Sequence, residues 1–199
     1  MTAAAHRRMG SETSKTRAHL LDVAEHLMVE EGYAAVGVRR VAREAEVAPA
    51  LVLYYFRTLD DLFLAMLRRR AETELERAVR LLEGPHPLRA LWRMTSHPGN
   101  TLTTEFAALA NHRKTIRAEL AAISERYREA QLEVLTRRIE ETGAELPPGV
   151  TPAVLLVLAN AVGRNMMMEH AMGLTARHAE TLAFVEDFLQ GHEGAPGES

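Results

Sequence analysis

The chain has 199 residues, room for one small and one medium domain, and its 47% hydrophobic and 26% charged content is that of an ordinary globular protein. It contains no cysteine, which excludes disulfides, thiolate chemistry and cysteine-based zinc sites. The formal net charge is −3, yet residues 1–70 carry 11 Arg or Lys against 9 Asp or Glu while 71–199 carry 13 against 18, so only the first segment leans toward an anionic partner.

Residues 1–12 are polar and rich in small side chains, and are expected to form a disordered arm. They lack the apolar core of a signal peptide. From Ser14 a helical pattern begins, with Leu20, Leu21, Ala24, Leu27 and Met28 recurring at three- and four-residue steps, and Gly32 is placed to end it in a left-handed cap. Val38, Val41, Ala42 and Ala45 share one face of a short second helix, Val47 is a buried turn residue, and Pro49 opens a third helix whose core face carries Val52 and Phe56. Three short helices with a tight turn between the last two form a helix-turn-helix pattern.

Thr58-Leu59-Asp60-Asp61 is a relative of the capping box, in which Asp61 reaches back to the Thr58 amide, and it opens a long helix that ends at Gly84-Pro85. A helix with Leu88, Leu91 and Trp92 follows and breaks at His97-Pro98-Gly99, then one with Phe106 and Leu109. A long helix is expected from about Thr115 to Thr142, one from Pro152 to about Met172 capped by Thr151, and one from Ala176 to about Leu189, with a disordered tail over 191–199. Nothing alternates as a strand would, so the fold is expected to be all-α. The most apolar stretch, Ala153–Gly163, is too short for the roughly 20 residues a bilayer requires. The chain is therefore expected to be cytoplasmic and to have no membrane partner.

The segment Val38–Leu62 resembles the DNA-binding region of the tetracycline-repressor (TetR) family: Val41-Ala42 and Ala45, Val47 in the turn, Tyr54-Tyr55-Phe56, then Thr58 and Asp60-Asp61-Leu62. The first helix fits in length and phase. The resemblance implies a helix-turn-helix DNA-binding domain over 13–58 and a larger helical effector-binding and dimerisation domain over 59–190. It also implies a homodimeric repressor that leaves a palindromic operator on double-stranded DNA when a small apolar or amphipathic effector binds. In such a motif the recognition helix, here Pro49–Tyr55, enters the major groove. The DNA-contact candidates are Arg39 and Arg40 at the start of the second helix, Pro49, Ala50, Leu51, Tyr54 and Tyr55 in the third, and Lys15 and Arg17 beside the first.

The chain departs from the family pattern at several positions. Glu46 stands where a turn glycine is usual, and Ala48 where a serine caps the recognition helix, at a cost of about 1 kcal/mol. Leu51 and Leu53 replace threonine and tyrosine, and Leu59 replaces a phosphate-binding lysine. The recognition helix is thus short of hydrogen-bond donors, and apolar contact with thymine methyls from Ala50 or Leu51 is one compensation.

The two last long helices are the expected dimer surface, through Val154, Leu155, Leu158, Val162, Phe184 and Phe188. Candidates for an effector pocket are Trp92, Phe106, Tyr127, Asn160, Arg164, Met167 and Met168, against a competing reading in which these are core or interface residues. No catalytic residue, cofactor or metal site is expected. His19, Asp22 and His26 share a helix face that the resemblance makes plain surface, and Glu83-Gly84-Pro85-His86 has Glu-x-x-His spacing broken by Gly-Pro. The remaining alternative is a helical ligand- or protein-binding homodimer with weak or no specific DNA binding, motivated by Leu51, Leu53 and Leu59.

Overall fold

The computed structural model describes residues 3–96 and 101–193, with side chains from Ser14 onward. Among these the regular structure is entirely helical: α1 (Ala3–Glu31), a 3-10 turn (Tyr33–Ala35), α2 (Val38–Glu44), α3 (Pro49–Tyr55), α4 (Leu59–Leu82), α5 (Pro87–Thr95), α6 (Thr101–His112), α7 (Lys114–Thr142), α8 (Pro152–Ala171) and α9 (His178–Glu193). The break expected at His97-Pro98-Gly99 and the last residues of the expected tail lie outside the described residues.

Local chemistry explains most boundaries. Gly32 has φ +82°, where a side chain would be strained, and it ends α1. At the start of α4 the Thr58 N–H donates to the Asp61 carboxylate at 3.0 Å and the Asp61 N–H to the Thr58 hydroxyl at 3.1 Å, closing the capping box from both sides. The Thr151 hydroxyl accepts from Val154 N–H and Pro152 occupies the first turn of α8.

Two boundaries differ from the sequence pattern. The segment expected to be an arm is helical from Ala3, and the consecutive alanines Ala3–Ala5 are the strongest helix formers available. At the other end α9 runs on to Glu193, past the expected stop near Leu189. Its extension has a tertiary cause: the Glu193 carboxylate accepts from the Leu88 and Arg89 backbone N–H groups, the latter at 2.9 Å, capping the otherwise unsatisfied first turn of α5.

The chain divides into two compact units, Met1–Ala71 with Asn100–Ser124, and Glu72–Gly99 with Glu125–Ser199. The first extends well beyond residue 58. Leu62, Phe63 and Met66 of α4, and Phe106 and Leu109 of α6, are buried together with Leu20, Leu21 and Met28 of α1, Val41 of α2 and Val52 of α3. A helix-turn-helix of short helices has too little apolar surface to close a core alone, and the neighbouring helices supply the rest. In the second unit Leu82, Leu88, Leu91, Leu135, Leu156 and Leu189 form a separate core. There α5 lies so close to α8 that a Cβ on Gly163 would stand 2.7 Å from the Thr95 backbone carbon and oxygen.

Candidate nucleic-acid interface

The turn between α2 and α3 is held by the backbone: Ala45 N–H donates to Val41 and Val47 N–H to Ala42, both at 2.9 Å. Glu46, between them, takes φ +55°, the left-handed conformation that a glycine would adopt at lower cost. Ala48 is the N-cap of α3 and offers no side-chain acceptor, so the first turn depends on Pro49 for its pre-set φ. Val52 and Phe56 anchor α3 from below, both nearly fully buried, while Val47 is half-buried against the same core.

The anchors decide which side chains α3 presents outward. Pro49 and Ala50 are exposed, Leu53 is 45% and Tyr54 72% exposed, and Leu51 and Tyr55 are half-buried. The Tyr54 and Tyr55 rings meet edge to face at 5.1 Å, so that Tyr55, packed against the core, restrains the exposed Tyr54 ring. Leu51, a sequence candidate for base contact, is less available than Leu53.

The arginines separate by their partners. Arg40 is bound to Glu31 at 2.7 Å and to Glu44 at 3.1 Å, and Arg43 lies 3.4 Å from Glu44. Arg39 is exposed and forms no ion pair among the described residues, which leaves its guanidinium available. Arg17 is exposed with its guanidinium 5.2 Å from the Phe56 ring, which sets a cation beside the C-terminal end of α3, and Lys15 and Arg57 are exposed as well. Asp22, part of the acidic and histidine face of α1, pairs with Arg69 at 2.7 Å.

Within the first unit, α6 is fastened to the start of the helix-turn-helix. The Glu105 carboxylate accepts the Tyr33 N–H at 2.7 Å, directly after Gly32, and Arg113 pairs with Asp60 at the start of α4. Nothing in the local sequence around Glu105 signals this role, because its partner is 72 residues away.

The effector candidates do not form one group. Phe106 is buried in the core of the first unit, whereas Trp92, Tyr127, Asn160, Arg164, Met167 and Met168 belong to the second. Arg164 and Met168 are exposed, and Asn160 spends one amide N–H on the Leu156 carbonyl of its own helix at 2.8 Å. Tyr127 is largely sequestered: burial first, then the charge of Glu74, push its hydroxyl up to about 12, against the opposing effect of Arg77. One turn along α7 from it lies Gln131, a polar side chain that is almost fully buried. Sequence reasoning missed Gln131, for which the only signal was its i, i+4 spacing from Tyr127.

An open hollow of about 540 Å³ lies where α8 meets α9, lined by Val162, Asn165, Met166, Glu169 and His178 among others. It contains none of the effector candidates. His178 and Glu169 approach to 2.7 Å there, and hydrogen bonds from His178 and then Asn165 hold the Glu169 carboxyl below its ordinary pKa. Of the expected dimer residues, Val154, Leu158 and Phe184 are exposed on α8 and α9, Val162 is half-buried, and Leu155 and Phe188 pack against the core of the second unit.

Residues 20–66 match the family described as bacterial regulatory proteins, tetR family. A 76-residue stretch is 32% identical to the HTH-type transcriptional regulator HbdR of Aromatoleum sp. (strain CIB), a match covering 38% of this chain and 33% of that regulator. Among solved structures, a putative transcriptional regulator from Saccharomonospora viridis in complex with choline superposes with a TM-score of 0.72 at 18% identity, covering 89% of this chain and 96% of that one. A TetR transcription regulator from Haloarcula marismortui gives 0.69 at 18% identity, covering 90% and 98%. At these identities the structural likeness shows a shared fold.

Proposed function

We propose that the chain, whose residues 20–66 match the tetR family of bacterial regulatory proteins, is a member of that family and a homodimeric repressor of a palindromic operator, released by a small apolar or amphipathic effector. The observation that carries this reading is the outer surface of the helix-turn-helix. It presents Arg39, Pro49, Ala50 and Tyr54 over a fully buried base, with Arg17 and Lys15 alongside. In that geometry α3 enters the major groove, and the exposed cations hold phosphates. Operator DNA makes the working location the cytoplasm, and no helix among the described residues is long and apolar enough to cross a membrane.

Dimerisation through α8 and α9 would cover Val154, Leu158 and Phe184 and present two recognition helices to a palindrome. For the effector, Gln131 and Tyr127 are the polar groups that fit best. A buried amide carries both donors and an acceptor that a ligand carbonyl or hydroxyl can engage, and Tyr127 stays neutral across the physiological range. The choline held by the Saccharomonospora viridis regulator supports a small molecule as the effector class.

The test is a mobility-shift titration on the DNA upstream of the chain's own gene at two salt concentrations. Saturable binding that weakens with salt is expected, because neutralised phosphates release counterions. Arg39→Ala should weaken that binding by about tenfold or more and leave the dimer intact; unchanged affinity removes Arg39 from the interface. The absence of any charged side chain on α3 favours a second reading, a helical binding protein without specific DNA recognition. Binding no tighter than to random DNA would support it.

A further inference from the structure

The outward face of α3 differs from what base recognition through hydrogen bonds requires. Ala50, Leu53 and Tyr54 stand at i, i+3 and i+4 and therefore share one face, and the first two carry no donor or acceptor. Donors that mark guanine or adenine, such as arginine, asparagine or glutamine, are missing from the whole helix, Pro49–Tyr55. In the major groove guanine, cytosine and adenine are marked by hydrogen-bonding atoms, cytosine adding only a small C5–H, and the C5 methyl of thymine is the single methyl group. A leucine pressed on guanine or cytosine strips water from a polar edge without replacing its hydrogen bonds. Pressed on thymine, it buries a methyl.

We propose that this protein reads its operator through thymine methyl groups, with Leu53 and Ala50 as the reading side chains. The inference rests on the DNA-binding reading above and names the class of sequence that reading leaves open. Charge on the surrounding surface agrees with DNA as the occupant of this apolar face. Arg17 is placed beside the end of α3 by its contact with Phe56, Arg57 follows directly, and Arg39 is free of carboxylates among the described residues. These cations attract the phosphate backbone without selecting sequence, so the selection falls to the apolar face. Glu44 and Glu46 lie at the other end of the motif, and Glu44 is already neutralised by Arg40 and Arg43.

Selection of bound duplexes from a random pool with the full chain supplies the ligand. Each thymine of the selected half-site is then replaced by deoxyuridine, which removes the methyl and keeps every base-pairing hydrogen bond. Affinity should fall about fourfold for each methyl that α3 covers, and uracil outside that segment should have no effect. Leu53→Ala, a change at an exposed position, should lower affinity for the thymine duplex and shrink its preference over the uracil duplex. Saturable, salt-sensitive binding that is equal for thymine and uracil duplexes overturns the thymine inference and leaves DNA binding standing. A pool that yields no saturable binder overturns both.

Discussion

The two compact units dispose of their apolar side chains differently. In the first, the large apolar residues left exposed among those described are Val29, Leu53 and Tyr54, two of them on the face offered to DNA. In the second they are Val154, Val157, Leu158, Met168, Met172, Leu174, Leu182 and Phe184, all on α8, α9 or the turn between them, with Phe184 69% exposed. Apolar residues scattered singly on a surface need no explanation, but a contiguous apolar patch does. The first unit is thus largely closed in itself and leaves a narrow reading surface, whereas the second leaves an apolar face that another molecule would cover. On the reading proposed above that molecule is a second copy, and the two exposures serve different ends: specificity in one unit and assembly in the other.

The contrast breaks most sharply at Leu158, which is 52% exposed in the single chain. If α8 forms a two-fold seam, Leu158→Glu brings a pair of like charges into an apolar contact, and desolvating each costs several kcal/mol. The expected outcome is a monomer in sedimentation velocity at micromolar concentration with helical content unchanged, since the substitution touches no core in the isolated chain. A variant that sediments as the native dimer would move the seam away from this part of α8.

A smaller effect is expected at Gly163, and it acts on the second unit from within. An alanine there gains about 1 kcal/mol of helical propensity. Against this, its Cβ would stand 2.7 Å from backbone atoms of Thr95, which cannot swing aside as a flexible side chain would. Overpacking against backbone costs about 3 kcal/mol at such distances. The net loss of about 2 kcal/mol should lower Tm by about 4–8 °C for a chain of this size. A native Tm would mean that α5 and α8 separate without cost.

How far these features could be read in advance follows from how many residues each one involves. The turn at Gly32, the start of α3 at Pro49 and the Thr58–Asp61 box are each written within four residues, and all appear where the local chemistry puts them. The all-helical class was equally legible, because three- and four-residue apolar spacing runs through the chain. The features that escaped are tertiary. Glu105 capping the residue after Gly32, Glu193 capping α5, and Phe106 joining the core of the first unit each depend on segments some 70 to 105 residues apart, or on helices that no local pattern pairs. Leu53 shows the same limit on a small scale. The sequence pattern pointed to Leu51 as the contact and passed over Leu53, and only the packing of Val52 and Phe56 turns Leu53 outward.

The smallest effect expected is at Glu46, and it probes the closed unit. A non-glycine residue at φ +55° carries about 1–2 kcal/mol of strain between its Cβ and the following carbonyl. Glycine removes that strain but loses about 0.5–1 kcal/mol more backbone entropy on folding. The balance favours Glu46→Gly by about 0.5–1 kcal/mol, a rise in Tm of about 1–4 °C. Glu46→Ala should not share that gain, because alanine keeps the Cβ. If glycine and alanine give the same Tm, the turn conformation is not where the cost resides. If glycine also tightens DNA binding, removal of an acidic side chain beside the phosphates is the physical cause, and its contribution would shrink as salt is raised.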